Sequence, residues 1–301
     1  MMRVLKRLLL VACLVVGDRA TAVMTARVAM AQGARVMSAT HADLPYVADG
    51  HARQKLDLYS PEAAASGDRR EVVLFVHGGA WRFGDKTGVQ GKPGVFATGR
   101  GAIFASANYR LHPEVDFREQ AADVAAAVAW LHTRVTEYGG DPARITVMGH
   151  SAGAHLAALV ATDATYLAAH DLEPADLAGV VLLDGAGYDL PRNYADARFF
   201  ARQMYATVFG TDEDGQRAAS PVTHVATGRA YPDFLIIHAE PREVSGTQAD
   251  LLADALRSAG GRAEVVAIPD ATHASVNRNF GLKDDPTTGA VVEFLNGRDD
   301  R

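Results

Sequence analysis

The sequence predicts an α/β domain: a mostly parallel β-sheet with helices on both faces. Short apolar runs rich in β-branched residues recur along the chain, and helix-like segments fall between them. With 301 residues, 48% of them hydrophobic, the chain has ample material for one sizeable core.

The chain opens with Arg3, Lys6 and Arg7 ahead of the apolar run Leu8 to Val16. That is a charged region followed by an apolar stretch of signal-peptide length, too short for a membrane-crossing helix. Small-x-small sites follow at Ala20-Thr21-Ala22 and Ala29-Met30-Ala31, and Leu10-Val11-Ala12-Cys13 has the form of a lipoprotein box. The expectation is a targeting segment and linker over residues 1–40, a catalytic domain over 41–301, and an exported protein, with a lipid-anchored form left open.

Beyond that segment the elements alternate. Lys55–Tyr59 alternates polar and apolar residues, as a half-buried strand does. Val72–Val76 is continuously apolar, which suits a strand buried on both faces. Ala102–Ala107 is a weaker strand, and Phe117–Val135 is an alanine-rich helix with Trp130 and Leu131 on its apolar stripe. Ile145–Met148 is a strand and Ala154–Ala161 a helix. Val180–Leu183 and Phe234–Ile237 are further buried strands, Gln248–Ser258 a helix, Ala263–Ile268 the last strand and Thr288–Leu295 the last helix. The stretch from Tyr188 to Tyr231 lacks a strand, so a small helical insertion is expected there, over the carboxyl edge of the sheet where ligands bind in such folds.

Composition excludes several classes. Thirty basic residues stand against 36 acidic ones, for a net charge of −6, and no basic run marks a nucleic-acid surface. Cys13 is the only cysteine, so neither an intramolecular disulfide nor a cysteine metal site can form. No set of histidines and carboxylates has metal-ligand spacing, and no cofactor is implied. Oligomeric state is not legible.

Two motifs carry chemistry. Gly149-His150-Ser151-Ala152-Gly153 follows a strand and opens a helix, the context of a nucleophile elbow. So tight a turn lifts the serine hydroxyl clear of the sheet, and small residues are needed where helix and neighbouring strand pass close. His77-Gly78-Gly79-Ala80-Trp81 directly follows the Val72–Val76 strand. Its glycines let backbone N–H groups converge on one point. An oxyanion hole built from Gly79, Ala80 and Ala152 is expected, each donor lowering the barrier by roughly 3–4 kcal/mol. Trp81 belongs either to the pocket wall or to the core.

Together with Ala107-Asn108-Tyr109-Arg110-Leu111, these runs resemble the esterase and lipase branch of the α/β hydrolases. The HGGxW form is closest to feruloyl-esterase-like proteins and kynurenine formamidases, with hormone-sensitive-lipase-like esterases as a further relative. The resemblance covers the chain from about Leu56 to the final helix, and it places the helical insertion after the sixth strand. It implies that His273, in Pro269-Asp270-Ala271-Thr272-His273, is the base for Ser151. Of the other histidines, His77 is expected to orient the oxyanion loop, His150 to face away from the nucleophile, and His224 and His238 to be loop or core residues. Asn108, Tyr109 and Arg110 are expected to brace the oxyanion loop, while Asn277, Asn279 and Phe280 suggest no role.

The acid departs from the family pattern. In Ile237-His238-Ala239-Glu240-Pro241-Arg242-Glu243 its usual position falls on Arg242, and a guanidinium cannot support an imidazolium. Asp184, which ends the preceding strand, is the favoured substitute; Glu243, Glu240 or no acid at all remain open. The reading is a serine carboxylic ester hydrolase acting on small or short-chain esters. An amide hydrolase of the kynurenine-formamidase type would use the same machinery, and a catalytically impaired binding protein would explain Arg242.

Overall fold

Val76, His150 and Leu183 end three neighbouring strands at one level of a single sheet, which is how the fold assembles its site. A computed structural model describes residues 37–62 and 64–299. The expected targeting segment and its cleavage sites lie outside the described residues. Among the described residues there are eight strands: β1 (His41–Pro45), β2 (Lys55–Tyr59), β3 (Arg70–Val76), β4 (Ile103–Ala107), β5 (Gly140–His150), β6 (Gly179–Leu183), β7 (Asp233–Ala239) and β8 (Ala263–Ile268). They form one sheet in the order β1-β2-β4-β3-β5-β6-β7-β8. β1–β2 and β2–β4 pair antiparallel, and the remaining pairs are parallel.

The helices are α1 (Phe117–Arg134), α2 (Ala152–Thr162), α3 (Ala164–Ala168), α4 (Leu190–Asp196), α5 (Phe199–Phe209), α6 (Glu213–Ala218), α7 (Pro221–His224), α8 (Glu243–Ser258), α9 (Ser275–Arg278) and α10 (Pro286–Asp299). α1 starts on a capping box in which Asp116 accepts from the backbone of Arg118 and Glu119 while Glu119 reaches back to the Asp116 N–H.

The sheet buries both faces. Leu74, Val147 and Val180 belong to one core with Leu156 of α2 and Leu252 of α8. Their strand neighbours Phe75, Met148 and Val181 belong to a second core with Phe280 and Leu295. This is the two-residue alternation of a pleated strand covered on both sides. The expected strandless insertion is α4–α7, inserted after β6.

The sequence reading differs from the structure at the edges. β1 was not expected: its exposed, polar His41 and Asp43 hide the alternation, and its pairing with β2 shifts register between His41 and Leu44. α8 begins at Glu243 rather than Gln248, and Gly246 lies within its first turns, packed close to the His238 ring.

Register places the chemistry. Val76 pairs with Gly149, His150 with Leu183, and Leu183 with Ile237. The residues that follow these strand ends, His77, Ser151 and Asp184, therefore emerge side by side at the carboxyl edge.

Candidate active site

Ser151 stands between β5 and α2 with φ 55° and ψ −119°, a conformation that non-glycine residues seldom adopt. The flanking glycines explain how the turn fits. A methyl group on Gly149 would strike the Gly153 carbonyl, and one on Gly153 would strike the Val76 carbonyl. The Ser151 N–H donates to the Leu183 carbonyl at 3.0 Å, pinning the elbow to β6.

The Ser151 hydroxyl lies 2.9 Å from His273 Nε2, and His273 Nδ1 lies 2.7 Å from Asp184 Oδ2. Asp184 has φ 44°, again a strained non-glycine position. Its other oxygen, Oδ1, accepts the Ala239 N–H at 3.0 Å, so the carboxylate is locked to the end of β7. Burial alone would raise this carboxyl, but His273, Arg242 and the Ala239 amide outweigh it and hold it at about 2.

Of the candidate acids, Asp184 is the one brought to the histidine. Glu240 is exposed, and Glu243 opens α8 on the surface. Arg242 does not leave the site empty. Its Nη1 donates to Asp184 Oδ2 and lies 2.6 Å from His273 Nδ1, so two donors share one carboxylate oxygen. Asp189, also close in sequence, caps α4 instead.

The histidine loop is held from behind. His150 does turn away from the serine, and its Nε2 lies 2.9 Å from the His273 carbonyl, with the two rings 4.7 Å apart. Burial and the neighbouring His273 depress His150 to about 3, so it stays neutral. Asn277, for which the sequence suggested no role, accepts from the buried ammonium of Lys92 at 2.6 Å. That ammonium also sits 4.5 Å from the Phe75 ring centre and 5.2 Å from that of Phe280. Burial lowers Lys92 to about 7, against an opposing pull from Asp285.

The opposite wall is the His77–Trp81 loop. Gly79 has φ 133°, Ala80 52° and Trp81 60°, so three consecutive residues take positive φ. Gly79, Ala80 and Ala152 all line the same cleft as Ser151 and His273. Beneath the loop, Arg53 Nε donates to the Tyr109 carbonyl at 2.8 Å and Nη2 to the Gly84 carbonyl at 2.9 Å. The Tyr109 hydroxyl donates to the His77 carbonyl at 3.0 Å, and the two rings stack at 4.4 Å. Gln120 Nε2 donates to the Trp81 carbonyl at 2.8 Å. Tyr109 thus braces the loop as expected, Asn108 accepts from the Lys86 N–H a few residues beyond it, and Arg110 pairs with Asp123. His77 is driven down to about 4, chiefly by burial. Trp81 is both core and cleft wall: it is buried, and its indole donates to His155 at 3.2 Å. His224 contacts the Ala218 carbonyl and His238 sits at the end of β7, both away from the cleft lining.

Arg53 and Lys92 are two of the supporting residues that sequence reasoning missed. Neither sits in a motif, and each reaches its partners only through the fold. The cleft itself holds about 600 Å³ and is capped by Met204 and Tyr205 of α5. Among the described residues, no three His, Cys, Asp or Glu are grouped to hold a metal ion, and no helix is long and apolar enough to cross a membrane.

Comparison with known proteins gives the family. Residues 56–256 match the BD-FAE family. Esterase LipQ of Mycobacterium tuberculosis is 33% identical over 259 residues, which cover 80% of this chain and 58% of LipQ. The chain thus spans little more than half the length of the curated relatives it matches. Among solved structures, the thermophilic esterase Est2 of the Planctomycetes species Thermogutta terrifontis superposes with a TM-score of 0.68 at 26% identity, covering 87% of this chain and 93% of that one. The same esterase is known in a form phosphonylated by sarin, which superposes with a TM-score of 0.66 at 27% identity, covering 81% and 88% of the two chains. With two thirds of its length matched and these neighbours in sequence and structure, the chain belongs to the BD-FAE family of α/β-hydrolase esterases and is of the HGGxW type.

Proposed function

We propose that this protein is a serine carboxylic ester hydrolase that acts on small or short-chain esters through an acyl-enzyme. The observation that carries the reading is the hydrogen-bonded line Asp184–His273–Ser151, whose hydroxyl end opens into the cleft opposite the Gly79–Ala80 backbone. The esterase names of its relatives, and the phosphonylation of a structural neighbour, point the same way.

The Ser151 oxygen attacks the ester carbonyl as its proton passes to His273 Nε2. Negative charge moves onto the carbonyl oxygen, where the N–H groups of Gly79, Ala80 and Ala152 receive it. The C–O bond to the alcohol breaks, and His273 returns its proton to the departing oxygen. Water repeats the sequence on the acyl-enzyme and releases the acid. Asp184 keeps the Nδ1 hydrogen in place and balances the transient imidazolium. His273 must be neutral to take the Ser151 proton.

The test is hydrolysis of p-nitrophenyl butyrate with labelling by a fluorophosphonate. Wild type turns over and is labelled at Ser151, whereas Ser151→Ala loses activity by about 10⁶-fold and takes no label. Equal rates for the two proteins would sink the assignment. Export follows from the basic and apolar segment at residues 3–16 and belongs to the same proposal. A mature protein isolated from its host with Met1 still attached would overturn it.

A further inference from the structure

Arg242 occupies the place where the resemblance sets the acid, and one of its three guanidinium nitrogens is engaged among the described residues. Nη1 is committed to Asp184. Nε and Nη2 make no hydrogen bond among the described residues, although Arg242 lines the cleft with its side chain 36% exposed. Asp184, its counter-ion, is fully buried and divides its charge among the Ala239 N–H, His273 and Arg242. A molecule entering the cleft therefore meets the guanidinium and not the carboxylate. The other exposed charge on the cleft, Asp85, has its carboxylate occupied by Thr87 and Asn108 and lies near Arg53. His77 and His150 stay neutral in their buried positions. Met204 and Tyr205 of α5 line the same cleft as Arg242.

A planar guanidinium with two free donor positions is suited to a carboxylate. It stands one imidazole ring away from the Ser151 hydroxyl, so the carboxylate it holds must sit a few bonds from the scissile carbonyl. We propose that Arg242 makes the cleft selective for esters that carry an ionised carboxylate close to the scissile bond, with half-esters of short dicarboxylic acids as the type substrate. This rests on the ester-hydrolase reading and narrows it. The guanidinium also repels the imidazolium that forms on His273, and a bound carboxylate offsets that repulsion during the reaction.

The test compares isosteric pairs that differ only in charge. Ethyl hydrogen glutarate is set against its carboxamide, ethyl glutaramate, for a carboxylate on the acyl side. 4-Acetoxybutyrate is set against 4-acetoxybutyramide for one on the alcohol side. In the wild type, kcat/KM favours the anion of at least one pair by roughly 10- to 100-fold, as expected for a charge-assisted contact. Arg242→Lys keeps most of that preference. Arg242→Gln brings the ratio towards one, mainly through a higher KM for the anion, and because each variant is scored by its own ratio, a general loss of activity does not blur the result. If the wild type hydrolyses the carboxamides as well as the anions, or Arg242→Gln keeps the preference, the selectivity is overturned while the esterase reading stands. If the wild type cleaves none of the four and a fluorophosphonate leaves Ser151 unlabelled, both are overturned.

Discussion

The two walls of the cleft are built on different principles. The wall proposed as the oxyanion hole is held by several separate contacts: Arg53, Tyr109 and Gln120 each reach a backbone carbonyl of the loop or its flank. The acid wall depends on one carboxylate. Asp184 alone serves His273, the Ala239 N–H and Arg242, and the position where the family sets its acid is filled by a residue of opposite charge. Redundant support spreads the cost of losing any one contact, whereas a shared carboxylate concentrates it.

The sharpest way to break this contrast is Asp184→Asn, which keeps the shape and removes the charge. Loss of kcat by about 10⁴-fold is expected. Glu243→Gln, on the exposed start of α8, leaves kcat unchanged, and a large loss there would move the acid. On the other wall, Arg53→Gln removes donors from the Tyr109 and Gly84 carbonyls at once. A fall in kcat of roughly 10- to 100-fold with KM little altered is expected, because oxyanion donors act on the transition state. A loss equal to that of Asp184→Asn would show that the oxyanion wall is no more redundant than the acid wall.

Acid should weaken both walls. His77 and His155 lie on the oxyanion side and His150 behind the histidine loop; all three are buried, with values near 4, 4 and 3 against an ordinary 6.5. The unfolded chain binds their protons below about 6.5 while the folded chain refuses them until near 3 to 4. Stability is therefore complete above that ordinary value and falls as pH drops through the window, by about 2 kcal/mol per histidine at pH 5. Urea midpoints at pH 8 and pH 5 check this, and a flat profile contradicts it. The smallest effect is Tyr109→Phe, which leaves one buried carbonyl without its donor and costs about 1 kcal/mol in urea unfolding. A collapse of the fold would deny the redundancy.

The same contrast explains what the sequence discloses. The oxyanion wall and the elbow are legible because their constraints are local: glycines at 78, 79, 149 and 153 stand where backbone passes close or φ is positive. The parallel core is legible for a similar reason, since Val72–Val76 is apolar at each position. The acid is harder to read. Asp184 sits 89 residues before His273, and sheet register unites them, so the sequence favours a lone aspartate at a strand end without excluding Glu243. Arg53, Lys92 and the edge strand β1 are illegible for the same reason: their partners are chosen by the fold and not by spacing.

The elbow's two crowded glycines carry a further consequence. Close packing helps to keep Ser151 in place, because a methyl group at Gly149 or Gly153 would meet backbone at 2.2 or 2.1 Å. Steric contact, unlike a hydrogen bond, cannot be competed away by water or traded for another donor. The nucleophile is thus the part of the cleft least open to gradual adjustment. Variation in what the cleft accepts falls to the surrounding walls, while Ser151 stays where it is.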